Sequence, residues 1–167
     1  MKRNIFVAAL LLFLIGCTPQ KSDQLTQQQK DQIKKDVKVV VDSIVAKFES
    51  LDANGAFQYY WDSPQFLALN ADGSHSDFQA SKKGAIDFVS SATGVKISAT
   101  FEDYKVMTKD LVICAWVGKE DVSLKSGDKV LYDPIAETLI FGKIADQWKV
   151  IYNHESATFT TQKAGKK

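Results

Sequence analysis

The sequence predicts an α+β fold, with helices first and then a meander of long antiparallel strands. Three observations carry this. Apolar residues recur at steps of three and four from Ile33 to Leu51, which draws one stripe along a helix. After Gly94 the period switches to two, the spacing of a strand with one wet face. Turn chemistry then cuts the chain at Thr108-Lys109-Asp110, Ser126-Gly127-Asp128 and Ala145-Asp146-Gln147, leaving runs long enough to build a sheet.

Thr26 and Gln29 have the spacing of a capping box, so the first helix is expected to start there. Its stripe runs through Ile33, Val37, Val40, Val41, Ile44, Val45, Phe48 and Leu51, and Asn54-Gly55 is expected to stop it. Residues 56–61, AFQYYW, read as a short second helix, followed by a turn at Asp62-Ser63-Pro64. Residues 65–71, QFLALNA, read as a short strand closed by Asp72-Gly73. Helical spacing returns over 76–92, with Phe78, Ala85, Ile86, Val89 and Ala92 on one side, and Gly94 as its end.

In the next strand Val95, Ile97, Ala99 and Phe101 alternate with polar residues. LVICAWVG is apolar on both faces, as a central strand should be. KVLYDPIAETLIFGKI contains Pro134, which predicts a bulge or bend. The last strand is WKVIYNHESATF, and a polar tail occupies 161–167. Long strands with a bulge curve a sheet. The amphipathic helix then fills the concave side, and whatever it leaves unfilled is a pocket.

The chain has 167 residues, a length that suits one domain, with an ordinary 45% hydrophobic and 25% charged balance. Residues 1–16 stand apart. Lys2 and Arg3 precede an apolar run from Ile5 to Ile15, the layout of a secretory signal, and the run is shorter than the roughly 20 residues of a membrane span. Leu14-Ile15-Gly16-Cys17 resembles the lipobox of bacterial lipoproteins. That resemblance implies cleavage before Cys17, lipid on its sulfur, and a polar tether over 17–28 leading to a domain over 29–160. Acyl chains contribute about 0.8 kcal/mol of anchoring per buried CH₂. Thr18 stands where an Asp would mark inner-membrane retention, which favours the outer membrane. The implied address is the bacterial cell envelope, with the membrane as partner. Loss of Lys2 and Arg3 takes the basic count from 21 to 19 against 20 acidic residues, so the mature formal charge is −1. That balance carries no nucleic-acid footprint. With Cys17 lipidated, Cys114 is the one free thiol, and inside LVICAWV it reads as a small buried hydrophobe rather than a reactive group.

Two stretches, DANGAFQYYWDSPQFLALNADG after the first helix and QWKVIYNHES at the end, carry a family likeness. An aspartate turn leads to a short strand ending in Asp-Gly, Asp62 to Gly73. The close is a tryptophan, alternating aliphatics and a His-x-Ser, here Trp148, Val150, Ile151, His154 and Ser156. Over roughly residues 30–160 the chain resembles the nuclear-transport-factor-2-like (NTF2-like) superfamily, most nearly its SnoaL-like branch. The resemblance implies a cone-shaped, cystatin-like roll: a curved antiparallel sheet with N-terminal helices on its concave face. It also implies a homodimer through the outer face of the sheet. It leaves activity open, because such cones host isomerases, cyclases, dehydratases and pure binding modules.

The candidate chemistry is sparse. His154 is expected to share a face with Trp148, Val150, Tyr152 and Ser156, which would point it into the cone as an acid or base near neutral pH. The simpler reading is a structural histidine bonded to a neighbouring element. A catalytic partner would be Asp62, Asp133 or Glu137. Turn geometry explains Asp62 and Asp133 without function, and the bulge near Pro134 leaves the direction of Glu137 open. Tyr60, Trp116, Tyr152 and His154 are the expected pocket lining. Two isolated histidines and one free cysteine make no zinc site, and phosphate loops, dinucleotide fingerprints and nucleophile elbows are missing, so no metal or cofactor is expected. A lipid-anchored domain binding a small apolar or amphipathic ligand, or serving as a dimerising module, is the first reading. An acid–base enzyme is the second.

Overall fold

The computed structural model describes residues 24–165. The expected signal segment and Cys17 lie outside the described residues.

Helix α1 spans Gln27–Glu49. Its capping box is formed: the Gln29 amide donates to the Thr26 hydroxyl at 3.2 Å, and the Thr26 amide donates to the Gln29 side-chain oxygen at 2.9 Å. The helix does not stop at Asn54-Gly55. Leu51 takes the left-handed backbone instead, with φ 58°, and Asp52 caps a second helix, α2, Ala53–Ala56. Asp52 accepts from the Gly55 amide at 2.8 Å and pairs with Lys47 at 2.9 Å. A Cβ on Gly55 would overlap the Asp52 carboxylate, so glycine serves close approach here rather than termination. Of the expected 56–61 helix, Ala56 ends α2, Phe57–Tyr59 continue as a 3₁₀ turn, and Tyr60 already bridges Val150.

Strand β1 is Leu67–Leu69 and β2 is His75–Ser76, joined across a turn in which Gly73 has φ 83°. Helix α3, Phe78–Ser91, is capped by Asp77, which accepts from the Ala80 amide at 2.8 Å. The chain passes at Ala92 straight into β3, Ala92–Thr108, so Gly94 lies inside a strand beside a register shift rather than at the helix end. Strands β4 (Leu111–Leu124), β5 (Lys129–Ile144) and β6 (Gln147–Gln162) complete one sheet in the order β2-β1-β6-β5-β4-β3. The long strands form the expected antiparallel meander. The sheet is mixed all the same, because β1 pairs with β6 in parallel. Strand β6 outruns its expected end. Gln162 still pairs with Lys129, and Ala164 donates its amide to Asp128 at 2.9 Å.

Helix α1 lies across the concave face. Its buried Val37, Val41 and Ile44 meet Val112 and Cys114 of β4, Leu139 and Phe141 of β5, and Trp148 and Val150 of β6. Each such aliphatic side chain contributes roughly 1.5–3 kcal/mol on burial. Together they close one end of the cone.

Bulges decide which side chains face the other end. In β3 the register slips between Ala99 and Phe101. Phe101 is therefore 53% exposed on the outer face, not beside Val95 and Ile97, and Glu102, Tyr104 and Val106 turn inward. In β5 Asp133 and Pro134 form the bulge that proline predicted, and Tyr132 and Ile135 flank it facing inward. In β6 the register slips between Val150 and Tyr152, opposite Phe141 and Ile140.

Candidate functional site

The slip at Ile151 rearranges the site that alternation predicts. Trp148 and Val150 are buried against α1. Ile151 is then the extra residue, so Tyr152, His154 and Ser156 turn to the outer face and Asn153, Glu155 and Ala157 turn inward. His154 is exposed and does not line the cone, and neither does Tyr152. A one-residue bulge thus separates the histidine from the pocket it was expected to enter.

Inside the open end of the cone lies a cavity of about 450 Å³. The sheet forms its floor through Glu120 of β4, Tyr132, Ile135 and Glu137 of β5, and Asn153 and Glu155 of β6. Helix α3 forms one wall with Ala80, Ser81, Gly84, Ala85 and Phe88. The segment after α1 contributes Phe57, Tyr60 and Phe66. Phe57 and Tyr60 stack with centroids 4.6 Å apart, and Phe66 meets Tyr60 edge-on at 6.0 Å. A smaller space of about 60 Å³ continues inward from Tyr60, Glu120 and Glu137 toward Val41, Ile44, Val45, Trp116 and Leu139. The site is therefore amphipathic: apolar at depth, acidic in the middle.

Three carboxyl groups define that middle. Glu137 stands directly across the β5–β6 ladder from Glu155, and Glu120 enters from β4. Burial pushes the Glu137 carboxyl up to about 8, with the charges of Glu155 and Glu120 adding to it. Burial also lifts Glu120 to about 7, again helped by Glu155. Glu155 is raised by burial and by Asp72 at the rim. The Tyr60 phenol is pushed up by burial, then by Glu137 and Glu155. No hydrogen bond or cation from the described residues offsets these shifts.

The other expected residues sit as follows. Tyr60 and Trp116 line the cavity system, and Glu137 points into it. Asp62 is exposed just ahead of the turn that Ser63 opens, and it accepts from the Gln79 side chain at 3.3 Å. Asp133 pairs with Lys119 at 2.6 Å beside the bulge, outside the cavity. Cys114 is fully buried in the core, where burial raises its thiol to about 12. Glu120, Asn153 and Glu155 were not anticipated. Glu120 was legible, since Val112, Cys114, Trp116, Gly118 and Glu120 keep one phase along β4. Glu155 was not, except that three apolar residues in succession, Val150-Ile151-Tyr152, cannot all obey a two-residue period. The described residues hold no cluster of His, Cys, Asp and Glu with metal-binding geometry.

No protein-family model matches the sequence, and no curated protein sequence matches it. Solved structures do match in shape. A candidate scytalone dehydratase from Novosphingobium aromaticivorans superposes with a TM-score of 0.73 at 8% identity, over 85% of this chain and 94% of that one. A candidate dehydratase of the NTF2-like family from Streptomyces avermitilis gives 0.68 at 12% identity, over 77% and 98%. A type 2 hexachlorocyclohexane dehydrochlorinase gives 0.67 at 10% identity, over 82% and 93%. At these identities the likeness is one of fold.

Proposed function

We infer that the fold is NTF2-like, the class that the sequence resemblance implied.

We propose that the protein is a small-molecule-binding domain whose cone takes an amphipathic ligand, held at the bacterial cell envelope by lipid on Cys17. The observation that carries the binding role is the cavity of about 450 Å³, which lies within the size range of ligand sites and is lined by aromatic faces and unpaired polar groups. The full chain titrated with the neutral dye Nile red should show saturable fluorescence enhancement. Gly84→Phe, which places a ring at the cavity wall, should remove it. A response that does not saturate, or that survives this change, would overturn the binding role. The anchor rests on the lipobox alone. Bacteria fed an alkyne-tagged palmitate should label the wild-type chain and not Cys17→Ala; an unlabelled wild type removes it.

A second reading, acid–base catalysis, is favoured by one observation. Glu137 keeps a proton near neutral pH directly across from Glu155, so a carboxyl able to donate faces a second carboxyl across the ladder. Proteins of similar shape include two candidate dehydratases and a dehydrochlorinase, whose eliminations call for an acid and a base. In this reading the acid–base pair is Glu137 with Glu155, and His154 takes no part. Carbon-13 NMR of labelled glutamate carboxyls tests it: a Glu137 midpoint near 8 supports the pair, and an ordinary midpoint near 4.5 removes it.

A further inference from the structure

Among the described residues, acids and no bases line the cavity: Glu120, Glu137 and Glu155 line it, Asp72 joins them at the rim, and no Lys, Arg or His does. The remaining titratable groups that face these carboxyls are Tyr60 from the segment after α1 and Tyr132 from β5. Glu137 is half-buried and lines the cavity, and its carboxyl meets no hydrogen-bond donor from the described residues. Tyr60 is half-buried as well, and it lines both the outer and the inner space.

Carboxyl groups gathered on one cavity wall repel one another as they ionise, and a positive charge placed among them relieves that repulsion. The complementary partner is a donor with positive charge. An anionic ligand would add a like charge to this set. A neutral one would leave the carboxyls facing each other. An ammonium carries three N–H donors, enough for Glu137, Glu155 and the phenol oxygen of Tyr60. The aromatic faces of Tyr60 and Phe57 suit the same charge, since ring quadrupoles attract cations. Beyond the carboxyl level the space continues between Val41, Ile44 and Leu139, which no charged group would enter.

We infer that the cone takes an organic cation, an amphipathic primary amine whose ammonium sits between Glu137 and Glu155 and whose apolar body reaches toward Val41, Ile44 and Leu139. This rests on the reading of the cone as a ligand site and adds the chemical class of the ligand. Binding displaces the proton that Glu137 holds, so affinity rises with pH up to about 8 and then levels until the amine itself loses its charge.

The experiment is calorimetric titration of the full chain with three probes of one shape: phenethylamine, 2-phenylethanol and 3-phenylpropanoate. The amine should bind at least roughly tenfold more tightly than the alcohol, with the carboxylate weakest. Near neutral pH the amine's apparent enthalpy should change with the buffer's ionisation enthalpy, which reports the released proton. Glu137→Gln should remove both the preference for the amine and the proton release. If Nile red saturates but the amine shows no advantage over the alcohol, or neither binds, the cation assignment is overturned and the cone reading stands. If Nile red does not saturate either, both fall.

Discussion

Glu137 and Glu155 face each other directly across the β5–β6 ladder, and both side chains enter the cavity. Like charges in opposite positions on a sheet destabilise it. The fold relieves that repulsion by keeping a proton, chiefly on Glu137, whose carboxyl burial pushes up to about 8.

The first prediction is a pH-dependent stability with a defined sign. A carboxyl whose folded pKa lies above its unfolded value binds its proton more tightly in the folded state. The Glu137 contribution is therefore most favourable below its ordinary value near 4.5, weakens as pH rises from there to about 8, and is flat above. Glu137→Gln removes this slope. Urea denaturation across that range should find the variant level with wild type at the acidic end and more stable by roughly 1–3 kcal/mol at the basic end. Reading the difference between the two chains cancels acids such as Asp128, which the Ala164 amide and Lys163 hold low in both. Parallel profiles would mean that Glu137 titrates normally.

The second prediction concerns a residue that should do nothing. His154 lies exposed on the outer face, paired in the ladder with Thr138 and Leu69. His154→Ala should change stability by less than about 0.5 kcal/mol, the usual range for a surface substitution, and leave Nile red binding unaltered. Glu155→Ala, one position away, should change the dye's affinity. A loss of binding in the histidine variant would place the site on the wrong side of the sheet.

The third prediction tests the support under Trp116. A Cβ on Gly118 would overlap both the Trp116 ring and the carbonyl oxygen of Ser98. The ring therefore lies flush over the glycine, and this sets its place in the inner pocket. Gly118→Ala should destabilise the protein by roughly 1–3 kcal/mol, as overpacking does, and alter the tryptophan emission. An unchanged melting temperature and spectrum would show that the ring is free to move aside.

These cases also show how far the sequence could be read. Hydrophobic period and turn chemistry located α1, α3 and the four long strands, because each residue there keeps phase with its neighbours over three or more repeats. Tyr60, Trp116 and Glu137 reached the cavity. His154 and Tyr152 did not, for one physical reason: a bulge is a single unpaired residue, and nothing in the composition of Ile151 distinguishes it from a paired one. Every side chain beyond it changes face. The parallel pairing of β1 with β6 was equally silent, since three residues, Leu67–Leu69, are too few to show a period. Pro134 was the exception, as proline marks its bulge chemically.

Gly84 supplies the last prediction, because it separates access to the cavity from stability of the fold. It lies in the middle of α3, lines the cavity wall, and has open space around the position a Cβ would take. Glycine in a helix interior costs roughly 0.5–1 kcal/mol relative to alanine through its backbone entropy. Gly84→Ala should therefore raise stability by about that amount and leave Nile red binding close to wild type, since one methyl barely narrows the space. Gly84→Phe should hold most of that gain, because phenylalanine is a better helix former than glycine, yet its ring occupies the chamber and weakens the dye. Chemical denaturation and dye titration on the same two variants read the two effects apart. Loss of binding in both would assign the effect to the helix rather than to the cavity. Full binding in the phenylalanine variant would mean that the dye does not occupy this cavity.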